Sequence, residues 1–462
     1  MSEFTELNSA PHVALLPGSG MGHLNPFLRL AVSLTNQRVQ VSFITTHPIV
    51  SKAESKALAC LFSANPKITC KEFHLVPFDK SSADSEDPFY LQCAVIRRSS
   101  HLLSPLLSSF SPPLSALITD MNLASTVIPV TEALHLPNYI LFTSSAQMLS
   151  LFVSFPVMVS SKVGGDSDIE GDILTIPGLQ EIPKTWIPPF LLNMNKFFRN
   201  YFIENGKKTL QSKGILVNTF ESLELQTLKA LNDGKVVWNL PPVFAIGPFM
   251  PYQSSPTLTW LDDQPSKSVV YVCFGSRSAL SREQIKELAV GLTRCQCRFL
   301  WVVDDNTVNQ ESSVELDEVL GHEFQEKVKD KGLVVRDWIS QEEILGHPAI
   351  GWFLSHCGWN SILEAVWHGV PILAWPQMSD QKMNADVVER SGIGMWEKSW
   401  GWGDEKTLVN SQEIGEELEK IMRNELIREQ AKQMREEARR AVAGGGSSKN
   451  AILDLVEIWN SL

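Results

Sequence analysis

At 462 residues the chain is too long for one ordinary domain and suits two of roughly 200 residues each. With 44% hydrophobic and 20% charged residues it has material for a large core, which excludes disorder on any large scale. A net charge of -12 excludes an extended nucleic-acid surface, since phosphate backbones are gripped by clustered Lys and Arg, but a phosphorylated small ligand needs only local donors.

The seven cysteines, Cys60, Cys70, Cys93, Cys273, Cys295, Cys297 and Cys357, contain no CxxC pair. Their odd number and scatter suit reduced thiols better than a disulfide framework. The N-terminal segment is polar and lacks a basic-then-apolar signal pattern. No apolar run reaches the ~18 residues that span a bilayer. A cytoplasmic protein without membrane insertion is expected.

Short β-rich apolar runs alternate with longer amphipathic segments, the pattern of parallel sheets flanked by helices. The first strand is expected at His12–Leu16, followed by the turn Pro17-Gly18-Ser19-Gly20-Met21-Gly22-His23 and a helix over 26–35 that places Pro26 in its first turn. Further strands are expected at 39–45, 69–76, 116–119, Asn138–Phe142 and 214–218, with a helix over 88–108. Five prolines within 240–256 mark a linker. Strands then follow at 269–274, 299–303, 332–336, 351–354 and 372–375. The glycines at 444–446 end a charged helix, and an amphipathic helix over 449–459 is placed to return to the first domain. The expected layout is therefore an acceptor-side domain over 1–240, a linker over 241–256, a second domain over 257–443 and a C-terminal helix over 444–462 packing back on the first domain. In such α/β sheets ligands lie beyond the carboxyl ends of the strands. The glycine-rich turn invites a dinucleotide reading, but its spacing is GxGxG rather than GxGxxG. The second strand also ends in Thr45-Thr46-His47, with no acidic ribose ligand, which argues against an NAD enzyme.

The most specific stretch runs from Trp338-Ile339-Ser340-Gln341 through His356-Cys357-Gly358-Trp359-Asn360-Ser361 to Asp380-Gln381; counting Trp338 as the first residue, Gln381 is the 44th. It resembles the signature box of the plant family 1, or secondary-product, UDP-glycosyltransferases, and the resemblance extends over nearly the whole chain. The implied fold is the GT-B arrangement, two Rossmann-like α/β domains facing across a cleft, with the nucleotide sugar held mainly by the second. A strand ending at Leu354-Ser355 and a helix over 359–367 put a helix N-terminus at a strand's carboxyl end, a diphosphate site that needs no metal. The resemblance assigns His356 to the β-phosphate and Asn360 and Ser361 to the α-phosphate. It assigns Trp338, with Ile339 beside it, to the uracil, and Gln341 and Glu364 to the ribose, whose vicinal hydroxyls both donate to a carboxylate. Trp359, Asp380 and Gln381 are assigned to the sugar hydroxyls. Singly, Trp338 or Glu364 would read as core or surface; together, at these spacings, they read as a site. Ser276, after Gly275, is a second phosphate-loop candidate. Ser340 departs from the family's usual proline and is expected to loosen its turn.

The same resemblance places a catalytic pair at His23 and Asp120. Imidazole titrates near neutrality and suits proton removal from a phenol, with Asp120 orienting it and stabilising the imidazolium. Taken alone, Asp120 is equally a helix N-cap. Thr143 is where relatives place a contact to the donor sugar or its phosphate. Asp87-Pro88-Phe89, followed by Arg97-Arg98, resembles the acceptor region of the flavonoid C-glycosyltransferase branch, as do 117–120, 138–143 and Trp400-Gly401-Trp402-Gly403. Phe89 is expected to pack on the acceptor ring and Asp87 to hold a hydroxyl.

The implied reaction is inverting transfer of glucose from UDP-glucose to a ring carbon of a flavonoid-type polyphenol, a 2-hydroxyflavanone or phloretin-like trihydroxyphenyl ketone. Transfer to a phenolic oxygen is the alternative. A UDP-sugar epimerase and a non-catalytic UDP-sugar binder are more distant ones. No metal or cofactor is expected, UDP-glucose being a co-substrate, and a monomer is the default.

Overall fold

The computed structural model describes residues 10–49, 51–77, 88–160, 172–192, 196–250, 258–275, 280–303, 320–321, 324–336, 339–401 and 408–461. The chain forms two compact units: Met1–Glu181, Phe190–Tyr252 and Ala441–Leu462 make the first, and Ile182–Pro189 with Gln253–Arg440 the second.

The first unit is built on a parallel sheet of β1 (His12–Leu16), β2 (Gln40–His47), β3 (Thr69–His74), β4 (Ala116–Asp120), β5 (Asn138–Phe142), β6 (Gly214–Val217) and β7 (Val243–Ala245), in the order β3-β2-β1-β4-β5-β6-β7. Both faces are covered, which is why its strands read as unbroken apolar runs. Along β1, Val13 and Leu15 join the core on one face while Ala14 and Leu16 join that on the other. The second unit repeats the plan with β8 (Val269–Cys273), β9 (Arg298–Val302), β10 (Gly332–Val335), β11 (Ile350–Ser355), β12 (Ile372–Ala374) and β13 (Gly394–Trp396), in the order β10-β9-β8-β11-β12-β13. Its core gathers Val270, Val272, Trp301, Trp352, Leu354 and Trp375. These are the two Rossmann-like α/β units expected from the sequence.

In each sheet the strand order reverses once, between β1 and β4 in the first and between β8 and β11 in the second. Such a switch point opens a crevice at the carboxyl edge, where ligands of this fold class bind.

Several expected elements differ in extent. The first helix is Met21–Thr35, not 26–35. Gly20, at φ 87°, turns the chain sharply enough to start the helix five residues early. Pro26 sits inside it and gives up one amide hydrogen bond. The stretch 88–108 is Pro88–Arg98, a 3₁₀ turn at Ser100–Leu102 and Leu103–Ser108. It breaks where buried Ser99 bonds back to the Val95 carbonyl at 2.8 Å and receives the Val76 amide at 3.0 Å. Strands β7 and β13 were not expected. The C-terminal helix Ser447–Asn460 buries Ile452, Leu455 and Trp459 in the first unit's core. Among the described residues no helix is long and apolar enough to cross a membrane.

Candidate functional site

At the first unit's switch point, β1 feeds the glycine-rich turn and β4 ends on Asp120. The early helix start places His23 in the helix's first turn, with its amide on the Gly20 carbonyl at 3.0 Å. Its Nδ1 lies 2.8 Å from Asp120 Oδ2. Asp120 is fully buried, so it needs partners for both oxygens. Oδ2 meets the imidazole while Oδ1 accepts the Asn122 amide at 2.8 Å. The two sequence readings of Asp120, helix cap and histidine partner, are thus met by its two oxygens. Gly18 is required here, because a Cβ at that position would come within 2.8 Å of the Asp120 carboxyl carbon.

Four further residues support this pair, directly or through a neighbour. Thr143, following β5, sets Oγ1 3.0 Å from His23 Nδ1. The Asn122 side-chain amide is 3.4 Å from His23 Nε2, and the Asn122 carbonyl accepts from the Tyr201 hydroxyl. Burial raises Tyr201 well above the ordinary phenol range, so this hydroxyl keeps its proton. Glu54 caps its own helix through Ser51 and reaches the Gly20 amide at 2.6 Å, which pins the turn that carries His23.

At the second unit's switch point, β8 leads into Gly275 and β11 into His356. Gly275 has φ 75°, and a Cβ there would lie 2.6 Å from His356 Nε2; a Cβ on Gly358 would approach the same atom equally closely. Cys357 takes φ 66°, a left-handed turn that brings Gly358 to the start of the helix Trp359–His368. Its N-cap is Gly358, which has no side chain of its own to offer. His356 is only partly covered as a residue, yet its Nδ1 is buried. Desolvation lowers the imidazole to about 4, against a weaker raising effect of a hydrogen bond with the Cys273 backbone. The ring is therefore neutral at physiological pH. A helix N-terminus beside a neutral imidazole is suited to an anion.

One turn along that helix, Glu364 is buried and accepts from Gln341 Nε2 at 2.7 Å; the same amide donates to Ser361 Oγ at 2.9 Å. The Tyr271 hydroxyl, kept protonated by burial, donates to Gln341 Oε1 at 3.4 Å. Ser340 holds φ -61°, the angle a proline would take, and its hydroxyl caps the helix Gln341–Gly346. The serine therefore keeps the turn it was expected to loosen. Gln381 Oε1 accepts the amides of Gln377 and Met378 at 2.7 and 2.9 Å. Asn384 donates to Asp380 Oδ2 at 3.0 Å and to the Cys357 carbonyl at 3.1 Å, linking the Asp380 corner to the His356 loop. Trp359 is buried, whereas Ile339 and Asn360 are partly exposed.

The N-terminal half, residues 12–251, matches the family model described as "Glycosyltransferase, N-terminal domain", and residues 240–435 match "UDP-glucoronosyl and UDP-glucosyl transferase". UDP-glycosyltransferase 708G2 of Citrus unshiu is 52% identical, over 99% of this chain and 98% of its own. The chain belongs to the plant family 1 UDP-glycosyltransferases. This UDP-glycosyltransferase is also 46% identical to UDP-glycosyltransferase CGT of Oryza sativa subsp. indica, over 97% of this chain and 96% of the relative. The crystal structure of LpCGTa in complex with UDP superposes with a TM-score of 0.87 at 44% identity, covering 97% of this chain and 99% of that one.

Within this UDP-glycosyltransferase, His23, Asp120 and Thr143 come together in the first unit, and Gln341, Ser361 and Glu364 in the second. Arg97 instead pairs on the surface with Glu204. Ser276, Trp338, Asp87, Trp402 and Gly403 lie outside the described residues, as do the side chains of Pro88 and Phe89. Glu54, Asn122, Tyr201, Tyr271 and Asn384 were not anticipated. Of these only Asn384, one helical turn beyond Asp380, left a trace in the spacing.

Proposed function

We propose that this UDP-glycosyltransferase transfers glucose from UDP-glucose to a ring carbon of a flavonoid-type acceptor carrying a 2,4,6-trihydroxyphenyl ketone, with His23 as general base. The observation that carries the base assignment is the 2.8 Å contact of His23 Nδ1 with buried Asp120 at a switch point. A carboxylate only accepts, so it favours the tautomer with hydrogen on Nδ1 and leaves Nε2 as the basic nitrogen. Support for a UDP-sugar donor comes from the helix start beside His356 at a switch point and from the UDP held by LpCGTa. Support for carbon as the acceptor atom comes from the relatives named CGT.

In this reading Nε2 takes a phenolic proton, and the negative charge spreads to the ring carbons beside the oxygen. One of these carbons attacks the anomeric carbon as its bond to the UDP oxygen breaks, inverting the configuration. The resulting dienone regains aromaticity as the ring carbon loses its proton to water and the oxygen takes back the proton held on Nε2, so that one proton is released overall. The departing diphosphate is stabilised by the helix start, with His356, Asn360 and Ser361 as donors, and no metal is required for that role. Gln341 holds Glu364 in place for the ribose, and Asp380 and Gln381 select the sugar. Asp87 and Phe89 shape the acceptor side.

Incubation with UDP-glucose and phloretin, followed by heating in acid, tests the bond formed. The glucoside is expected to survive; complete release of phloretin would assign transfer to oxygen. His23→Ala is expected to lower transfer by roughly 10²–10⁴-fold while UDP binding is retained, and more than a few per cent of residual activity would remove His23 as the base.

A further inference from the structure

The imidazole of His23 is held by more than its carboxylate. Thr143 is buried, 8% exposed, and its Oγ1 is 3.0 Å from the same Nδ1 that Asp120 Oδ2 approaches at 2.8 Å. A neutral imidazole with its basic nitrogen at Nε2 carries one hydrogen, on Nδ1. Asp120 can only accept that hydrogen, so the Thr143 oxygen faces an N–H and must accept as well. The threonine's own hydrogen has a separate outlet in Met121 Sδ, 3.9 Å away. One N–H is thereby shared between oxygens placed by two neighbouring strands, β4 and β5.

We propose that Thr143 is a positioning residue for proton abstraction, its hydroxyl oxygen fixing the tautomer and rotation of His23 and supporting the imidazolium once Nε2 is protonated. This rests on His23 acting as the base and adds a second oxygen to its support. The acceptor's proton goes to Nε2, the Nδ1 hydrogen stays where it is, and no proton moves to Thr143. Family resemblance gives Thr143 to the donor sugar instead, and the two roles lead to different kinetics. A sugar contact serves every acceptor alike, whereas support of the base matters only when the acceptor still has a proton to lose.

The test compares wild type, Thr143→Val, Thr143→Ser and His23→Ala with UDP-glucose and a series of phenols, from weakly acidic ones to nitrophenols already ionised at the assay pH. Thr143→Val is expected to slow transfer to un-ionised phenols by about 3- to 10-fold, the worth of one hydrogen bond. The loss should shrink toward none for the ionised acceptors, with the KM for UDP-glucose unchanged and the rate restored by Thr143→Ser. A loss that is constant across the series, or a raised KM for UDP-glucose, overturns the proposal. Thermal unfolding monitors the fold, and Thr143→Ala replaces the valine variant if valine is not accommodated. If His23→Ala shows no loss on un-ionised phenols, the base assignment itself fails. If its loss tracks acceptor acidity while that of Thr143→Val does not, only the role of Thr143 fails.

Discussion

The two histidines singled out by the sequence are prepared for opposite tasks. His23 has a carboxylate at Nδ1, which favours accumulation of positive charge on the ring. His356 sits among protein atoms that lower it to about 4, which keeps it neutral and able to donate one hydrogen bond without carrying charge. That lowering has a cost that can be measured. The unfolded chain takes up a proton on His356 near its ordinary value of 6.5, whereas the folded protein does so only near 4. Between those values the unfolded state binds more protons, so stability falls as pH falls through the window and is fully present above it. The slope from this one residue is up to about 1.4 kcal/mol per pH unit. Thermal or urea unfolding between pH 7 and pH 4 should therefore destabilise wild type more steeply than His356→Asn, which cannot titrate. Parallel pH profiles for the two proteins would show that the imidazole is not desolvated.

Among the elements, helix starts differ in what meets their amides. In the first unit the helix Ala146–Ser160, which follows β5, has its N-terminus already occupied. Buried Glu224 accepts the Ala146 and Gln147 amides, each at 3.0 Å. The protein supplies its own anion there, whereas the N-cap before Trp359 is a glycine. Glu224→Ala is expected to cost about 3 kcal/mol of stability, from two amides losing a charged acceptor, and to leave UDP affinity unchanged. Denaturant unfolding and a UDP titration check both, and a weakened UDP affinity would contradict the division of labour. Elements of this kind were legible in the sequence where burial on both faces produced long apolar runs, so β1 and β5 match their expected limits. Strand β12 is as short as β7 and β13 but lies in the unbroken apolar run 372–375, whereas β7 follows two of the prolines that read as linker and β13 is bounded by Gly394 and Glu397. The site was legible where a residue ends a strand, as with Asp120 and His356. It was illegible where one helix reaches the start of another, as with Glu54 at Gly20 and Glu224 at Ala146, because those pairings follow from packing and leave no local spacing.

At the scale of the whole chain, each unit is completed by a segment from the other half of the sequence. Ile182–Pro189 belongs to the second unit. There Trp186 packs on Trp396 with ring centroids 4.9 Å apart, and the Lys398 ammonium lies over both rings. Lys382, itself buried, donates to the Thr185 carbonyl at 3.2 Å. Conversely, the C-terminal helix Ser447–Asn460 belongs to the first unit, where Trp459 is 1% exposed and meets Tyr139 of β5 edge-on at 5.6 Å. The final residues of the chain thus close the core beneath the strand that leads to Thr143. Trp459→Ala removes one of the largest buried side chains in the molecule. Its expected cost is about 3–5 kcal/mol, the range for emptying such a site. The loss belongs to the first unit, while the residues proposed to bind the diphosphate belong to the second, so the variant should still bind UDP and still be stabilised by it through mass action. Calorimetric unfolding with and without UDP separates the two effects. A variant as stable as wild type would remove the C-terminal helix from the first unit's core. A variant that folds but no longer responds to UDP would mean that the donor site depends on the last helix.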